Sequence, residues 1–290
     1  MNTSDPVIDF RVQPPFKSFL DMHFYEDRND ESDPDARLPF GHDRLVTPAM
    51  TSGSLGSFLE EMDEADLAHA VIVGQRAAGR WGRVSNDDIA ELVRLYPERF
   101  SGFGGVDPTE NDAVQQVERM IADLGLSGVA LIPGWNDLPL EDDDPAVLPV
   151  YEICETLDVP VIVTASHYIG ADLEYSNPVH LQHVVETFPR LTLIVGHGSW
   201  PWTTAAVALA MRYPNVYLMP EFYMYTPGMP GARDYVDAAN TFLADRLLYS
   251  SCFPSRSLGE AQNLFGSLPL TEVARRRAMY SNGLELLGLN

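Results

Sequence analysis

The sequence has very little lysine. Lys17 is the single lysine among 19 basic residues, and 42 acidic residues give a formal net charge of −23 at pH 7. This excess of negative charge argues against nucleic acid or an anionic membrane as a partner. The acidic residues are spread along the chain in short runs such as 26–35 and 140–145, which is typical of a solvated surface.

Cysteine and long apolar runs are also scarce. The two cysteines, Cys154 and Cys252, are too few for a disulfide framework, so we expect a reducing, cytoplasmic location. No run of 18 uncharged apolar residues occurs, which predicts that no segment spans a membrane. The N-terminus lacks a basic stretch followed by a long apolar one, so we expect no secretory signal. A homo-oligomer remains an open alternative.

A glycine-rich phosphate turn is missing after the first apolar run. Pro14 and Pro15 follow that run instead, which argues against a doubly wound nucleotide-binding fold. The chain does contain short Val-, Ile- and Leu-rich runs that alternate with amphipathic segments, as in parallel strands covered by helices. These runs predict eight strands, at residues 7–12, 69–74, 101–106, 127–132, 159–165, 191–196, 215–219 and 246–250.

Eight strands that alternate with helical segments predict a (β/α)8 TIM barrel, with residues 1–290 forming a single domain. Ser54 precedes one amphipathic segment and is a predicted N-cap, and Ser85 or Asn86 is the predicted N-cap of another. The segment from about Met22 to Thr51 is polar and aperiodic. We interpret it as a long first βα loop and a candidate lid over the barrel mouth.

Polar and aromatic side chains are concentrated where the predicted strands end, and active sites of such barrels form there. The aromatic residues favour a flat or apolar substrate that is held by polar anchors. The candidates are Arg11 and Gln13 on strand one, Thr164 and His167 at strand five, His197, Trp200 and Trp202 at strand six, Glu221, Tyr223 and Tyr225 at strand seven, and Cys252 at strand eight.

Five stretches of the chain occur in a characteristic order. They are "VIDFRV", "YEICETLDVPVIV", "NPVHLQHVVETFPRLTLIVGHGSWPW", "DRLLYSSCFP" and the terminal "YSNGLELLGL", of which the third is the most distinctive. In this order they resemble the amidohydrolase superfamily, specifically the branch that includes aminocarboxymuconate decarboxylase and related decarboxylases and hydrolases. The resemblance covers most of the chain and implies a TIM-barrel enzyme that acts on a small molecule.

The sequence departs from the resembled family at the metal-binding positions. The family usually has a His-x-His pair on strand one, a histidine on strand five and an aspartate on strand eight. Here these positions read Arg11, Gln13, Thr164 and Cys252, and only the strand-six histidine is kept, as His197.

A residual metal site is the alternative, with His167, His197, Glu221 and Cys252 as its ligands. Arg11 would then place a fixed positive charge where the cation should sit. We therefore expect a metal-independent enzyme without a cofactor. The resemblance permits this, because a pyrone-dicarboxylate lactonase of the same superfamily works without metal.

Arg11 and Gln13 share one face of their strand, so both are predicted to face the pocket and bind the substrate. A structural ion pair of Arg11 with Glu221 is the alternative role, and the two roles are compatible. His197 is the predicted general base or acid, because imidazole titrates near neutral pH. Glu221 is the best carboxylate for an acid–base role beside it.

The other candidates carry less specific expectations. His167 is a further candidate catalytic residue, and Cys252 is either a nucleophile or a small buried side chain. Lys17 could bind an anion or form a Schiff base, or simply lie on the surface. His180 and His183 on a predicted helix are expected to be ordinary surface or packing residues. Substrate binding is also expected of Thr164, Trp200, Trp202, Tyr223 and Tyr225.

The function that we expect first is hydrolysis of a lactone or another C–O or C–N bond in a small carboxylated cyclic or aromatic substrate. The first alternative is a lyase that cleaves a C–C bond, including decarboxylation. The second is a barrel that binds such a ligand without catalysis. The preference for hydrolysis rests on analogy with the metal-free lactonase alone.

Overall fold

The computed structural model describes residues 6–25 and 46–289. Within them, seven parallel strands pair in sequence order into one curled sheet. Each strand lies within about two residues of the predicted one at its start, and β6 continues four residues further than predicted. The strands are Val7–Val12 (β1), Leu67–Val73 (β2), Phe100–Gly105 (β3), Gly128–Leu131 (β4), Val161–Ser166 (β5), Leu193–Trp200 (β6) and Val216–Met219 (β7).

The predicted eighth strand is not a regular strand. Residues 246–253 instead run between β7 and β1 as an irregular extended segment, with isolated parallel bridges from Leu247 to Leu218 and from Phe253 to Val12. Backbone hydrogen bonds from Phe10 N to Tyr249 O and from Leu248 N to Leu218 O complete the connection. The segment therefore closes the TIM barrel, although its pairing is too interrupted to form a ladder.

The helices surround this barrel. The predicted cap at Ser54 is confirmed, because its side chain accepts a hydrogen bond from Ser57 N. Ser85 is the N-cap residue of the next long helix, without a side-chain capping bond. The α-helices are Pro48–Ser52 (α1), Leu55–Glu64 (α2), Asn86–Leu95 (α3), Ala113–Ala122 (α4), Leu148–Leu157 (α5), Pro178–Thr187 (α6), Thr203–Arg212 (α7), Phe222–Tyr225 (α8), Ala232–Ala239 (α9), Leu258–Gly266 (α10), Glu272–Arg276 (α11) and Asn282–Leu287 (α12).

Two apolar clusters hold the barrel together. The larger one lies between the strands and the helices. The smaller one contains at least one residue from every strand and from the closing segment, so it fills the barrel interior. Its buried members are Ile8, Phe10, Val71, Val73, Phe103, Ala130, Ile162, Ile194, Met219 and Leu248.

Most of the predicted first βα loop lies outside the described residues, and the lid expectation falls there. Its described ends form short helical turns, His23–Tyr25 and α1. Among the described residues, no helix combines the length and the apolar character that a bilayer crossing requires.

Candidate active site

The backbone is strained where β6, β7 and the closing segment end. His197, Ser199, Glu221 and Cys252 have φ angles of 61°, 58°, 56° and 57°, in the left-handed region that non-glycine residues rarely adopt. Such residues cost about 1–3 kcal/mol each and cluster at functional sites. Three of these four were singled out from the sequence, and the strain points to the same place.

Arg11 reaches the pocket through a bulge in β1. Asp9 pairs with Ala70 and Val12 with Ile72, so β1 has one more residue than β2 between the two pairs. An extra residue of this kind redirects the neighbouring side chains. As a result Phe10 packs in the barrel interior while the next residue, Arg11, also lines the pocket.

The Arg11 guanidinium lies across the ends of β5, β6 and β7. Its Nη1 donates to Thr164 Oγ1 at 3.1 Å and to Glu221 Oε1 at 3.4 Å. Gly196 on β6 leaves room for it, since a Cβ at this residue would lie 3.2 Å from Nη1. Arg11 Nε is buried and has no hydrogen-bond partner among the described residues. The Arg11 guanidinium is thus held through Nη1, and its Nε can still donate a hydrogen bond.

His197 and Glu221 form a buried pair next to Arg11. His197 Nδ1 lies 2.5 Å from Glu221 Oε2. The angles of this contact fall outside those of a regular hydrogen bond. With Nδ1 against the carboxylate, Nε2 is the ring nitrogen that can meet a substrate in the pocket. This is the arrangement of a general base with an orienting carboxylate.

Burial and charge set the protonation states of this pair. Burial lowers the pKa of His197 below its ordinary value, and this outweighs the opposing effect of Glu221. Burial alone would raise the pKa of Glu221, but His197 and Arg11 together hold it below its ordinary value. At neutral pH the site therefore holds a neutral imidazole, a carboxylate and a guanidinium.

Cys252 is the third buried group beside this pair. Burial, reinforced by Glu221, raises the pKa of its thiol well above the ordinary value. A thiol in this state is a poor nucleophile, because the thiolate is the reactive form. The structure thus favours the reading of Cys252 as a small buried residue over the reading as a nucleophile.

Arg11, His197 and Cys252 line a common cavity. Trp81 and Trp135 form part of its wall and stack with ring centroids 4.2 Å apart and 5° between their planes. Flat aromatic walls suit a planar substrate. The cavity is lined by Arg11, Gln13, Phe24, Trp81, Trp135, Ser166, Tyr168, His197, Phe222, Tyr223, Cys252 and Ser255.

His167 contacts Tyr223, which lines the cavity. Tyr223 Oη and His167 Nδ1 are 3.1 Å apart. Burial, with the nearby His197, lowers the pKa of His167 to about 4, so this ring is neutral at pH 7. His167 therefore contacts a residue of the cavity wall without being one of the residues that line the cavity.

Several predicted substrate-binding residues have other partners. Thr164 holds Arg11 in place, and Tyr225 is buried and donates to the carbonyl groups of Ser250 and Ser251. Trp200 and Trp202 donate their indole N–H groups to Pro230 O and Leu173 O, respectively, and neither lines the cavity. Trp200 still stacks on Tyr223, which does line it.

Lys17 is not among the cavity-lining residues. It is half exposed and forms ion pairs with Asp88 and Glu91 on α3. Its predicted role in substrate binding finds no support in this position. Gln13 does line the cavity, where its amide donates to Val73 O and Gln75 Oε1.

Sequence reasoning missed the stacked tryptophans and Asp9. Trp81 and Trp135 follow β2 and β4, and the tryptophan a few residues after each apolar run was a usable signal. Asp9 is fully buried under Arg11, where it accepts hydrogen bonds from Arg11 N and Ser251 N. Burial raises the pKa of Asp9 to about 7.

Comparison with known proteins places this chain in a family. The model of the amidohydrolase family matches residues 19–289. The chain belongs to the amidohydrolase family. This amidohydrolase is therefore an enzyme of the superfamily that its motifs resemble.

Solved structures share the fold of this amidohydrolase. An uncharacterised TIM-barrel protein from Bordetella bronchiseptica is 35% identical, with 98% of each chain covered and a TM-score of 0.88. A dihydroxybenzoic acid decarboxylase from Polaromonas, solved with manganese and the inhibitor 2-nitroresorcinol, is 20% identical, with 98% of this chain and 97% of that chain covered and a TM-score of 0.67. Among curated proteins, the gamma-resorcylate decarboxylase of Polaromonas is 24% identical over 76% of this chain and 79% of its own length.

Proposed function

We propose that this enzyme is a metal-independent lyase that decarboxylates a small hydroxylated aromatic acid. The observation that carries the proposal is the position of Arg11, which is fixed beside the His197–Glu221 pair at the base of an aromatic-walled cavity. Relatives named as decarboxylases favour this reaction over hydrolysis, which the sequence led us to expect first.

The manganese in the Polaromonas decarboxylase raises the question of whether these residues fit a divalent ion. His197, Glu221 and Cys252 offer ligand atoms within 4.8 Å of one another. The charges do not fit, however. Glu221, the one carboxylate of this group, already balances Arg11.

A divalent ion at this place would face Arg11 without a net negative donor set. At an effective dielectric constant of 20, the repulsion between a divalent ion and a guanidinium 4 Å away is about 8 kcal/mol, twice the value for two unit charges. Glu221 would be the one carboxylate shared between such an ion and Arg11. The guanidinium thus supplies the positive charge of the site, and the proposed mechanism uses no metal.

In the proposed reaction the neutral His197 first takes the phenolic proton of the substrate through Nε2. The phenolate oxygen is stabilised by Arg11, and Glu221 stabilises the imidazolium. His197 then returns the proton to the ring carbon that bears the carboxylate. The bond from this carbon to the carboxylate breaks, its electron pair restores the aromatic ring and the phenolate, and carbon dioxide leaves. The phenolate finally takes a proton from solvent.

The aromatic wall contributes to the carbon–carbon cleavage. A carboxylate that lies against Trp81 and Trp135 loses part of its hydration, which raises its free energy. The neutral carbon dioxide that it becomes does not depend on this hydration. Binding in this orientation therefore favours the transition state over the bound acid.

A panel of mono- and dihydroxybenzoic acids tests the proposal. We expect carbon dioxide release from at least one ortho-hydroxylated acid and, in deuterium oxide, one deuterium at the vacated ring carbon. His197→Gln should abolish both, while the matched variant His69→Gln at a histidine outside the cavity reports any structural loss. Acids that raise the melting temperature without ever being turned over would instead indicate a ligand-binding barrel.

Lactone hydrolysis is the second candidate, because a neutral imidazole with an orienting carboxylate also suits activation of water. In ¹⁸O-labelled water, hydrolysis would place one label in the product acid. Turnover of pyrone or lactone acids with this label, and none of hydroxybenzoic acids, would establish hydrolysis in place of decarboxylation.

A further inference from the structure

A second cluster of ligand-type side chains lies outside the active-site cavity. It consists of Asp143, in the loop between β4 and α5, and His180 and His183, one turn apart at the start of α6. None of these residues lines the cavity. The sequence led us to expect ordinary surface or packing residues at the two histidines, but the structure joins them through one carboxylate.

The same ring nitrogen of both histidines points at Asp143. His180 Nδ1 lies 2.8 Å from Oδ1, and His183 Nδ1 lies 2.6 Å from Oδ2. Glu141 Oε2 is 3.8 Å from His180 Nδ1. Two imidazoles and up to two carboxylates therefore converge from two separate elements of the fold.

We propose that Asp143, His180 and His183, with Glu141, form a zinc site. Two imidazole nitrogens and carboxylate oxygens are ligands that Zn²⁺ prefers in proteins. Around a tetrahedral zinc ion with bonds of about 2.0–2.2 Å, neighbouring ligand atoms are about 3.4 Å apart. The atoms that now touch at 2.6–2.8 Å need to separate by less than about 1 Å, which small side-chain rotations supply.

The electrostatics of this loop differ from those of the active site. Asp143 and Glu141 are the carboxylates that lie near His180, and no arginine or lysine forms an ion pair with Asp143 among the described residues. A divalent cation here would meet net negative charge, whereas at Glu221 it would meet Arg11. The His180 side chain is 11% exposed and that of His183 is 54% exposed, so the site is anchored on one side and accessible on the other.

Calorimetric titration of the chelator-treated full-length chain with zinc sulfate tests the site. We expect one equivalent to bind and to raise the melting temperature, because the ion would link the β4–α5 loop to α6. His183→Ala and Asp143→Asn should each weaken zinc binding at least about tenfold, since each removes a ligand. Asp123→Asn, at an exposed aspartate on another helix end, is the matched control.

Three further measurements separate this site from the active site. Cobalt bound to the wild type should give the strong visible absorption of a tetrahedral centre, and His183→Ala should lose it. His197→Gln should leave the zinc equivalent unchanged, and His183→Ala should leave turnover unchanged. The proposal would be overturned if His197→Gln lost the zinc equivalent and His183→Ala kept it. It would also be overturned if the wild type bound no zinc.

Discussion

Arg11 Nη1 lies 3.4 Å from Glu221 Oε1, with the two side chains only 4% and 0% exposed. Because both charges are buried, removing one leaves the other without compensation. Arg11→Met should lower the free energy of unfolding by about 3–5 kcal/mol and abolish turnover. Denaturant unfolding and a steady-state assay measure the two effects.

The double variant Arg11→Met/Glu221→Leu separates stability from activity. Replacing both members of a buried pair by apolar residues is often neutral for stability. We expect the double variant to regain most of the lost stability and none of the turnover. Turnover near the wild-type rate in the double variant would exclude Arg11 from the chemistry.

The acid limb of the pH–rate profile reports on His197. Burial lowers the pKa of this imidazole, so the neutral base persists below the ordinary histidine value of 6.5. As the pH falls through the lowered pKa, the imidazolium forms and the base is lost. We therefore expect kcat/KM to be constant around pH 7 and to fall only below pH 6.5. A fall in kcat/KM that begins above pH 6.5 would show that His197 is not the neutral base.

Cys252→Ser tests the minor role assigned to the thiol. Because burial and Glu221 raise its pKa, the thiol is protonated at neutral pH, and kcat should fall by less than about tenfold. Alkylation by iodoacetamide at pH 7 should likewise be slow. Complete loss of turnover in a folded Cys252→Ser variant would restore the cysteine as a nucleophile.

Asp9 should make stability depend on pH. Its pKa is about 7 in the folded chain against an ordinary value of 3.8. Between these two pH values Asp9 is more protonated in the folded chain than in the unfolded chain. Its contribution to the free energy of unfolding therefore falls as the pH rises through this window and is constant above it. The difference in unfolding free energy between wild type and Asp9→Asn should change by up to about 4 kcal/mol across the window.

Thermal or denaturant unfolding of both proteins at several pH values gives this difference. Asp123→Asn, at an exposed aspartate, serves as the control for the amide substitution itself. A wild-type curve parallel to that of Asp9→Asn between pH 4 and pH 7 would contradict the raised pKa.

The fold and the grouping of residues at the candidate site were largely predictable from the sequence, because apolar runs mark buried parallel strands and the candidate site lies where they end. Seven strands are found as expected, and Arg11 and His197 both lie in contact with Glu221. Pairing details were not predictable. The alternation of apolar runs and amphipathic segments cannot reveal the bulge that turns Arg11 inward. It also cannot reveal the interrupted pairing near Leu247.

The outer residues were harder to assign. Three of the predicted substrate-binding residues lie at or after the ends of their strands, where cavity-lining side chains are expected. Their polar atoms instead form hydrogen bonds with backbone carbonyl groups; these residues are Trp200, Trp202 and Tyr225. Trp81 and Trp135 come from different loops and meet only in three dimensions. A side chain beyond a strand end is directed by its loop, and the sequence pattern contains no signal for that.

The most direct test of a guanidinium in place of a metal is turnover of an ortho-hydroxylated benzoic acid by metal-free enzyme. The experiment uses His183→Ala, so that metal on the outer cluster does not obscure elemental analysis. We predict that carbon dioxide release is unchanged by chelator and by added manganese, with less than about 0.1 metal ion per chain. Release that disappears with chelator and returns with manganese would contradict the account.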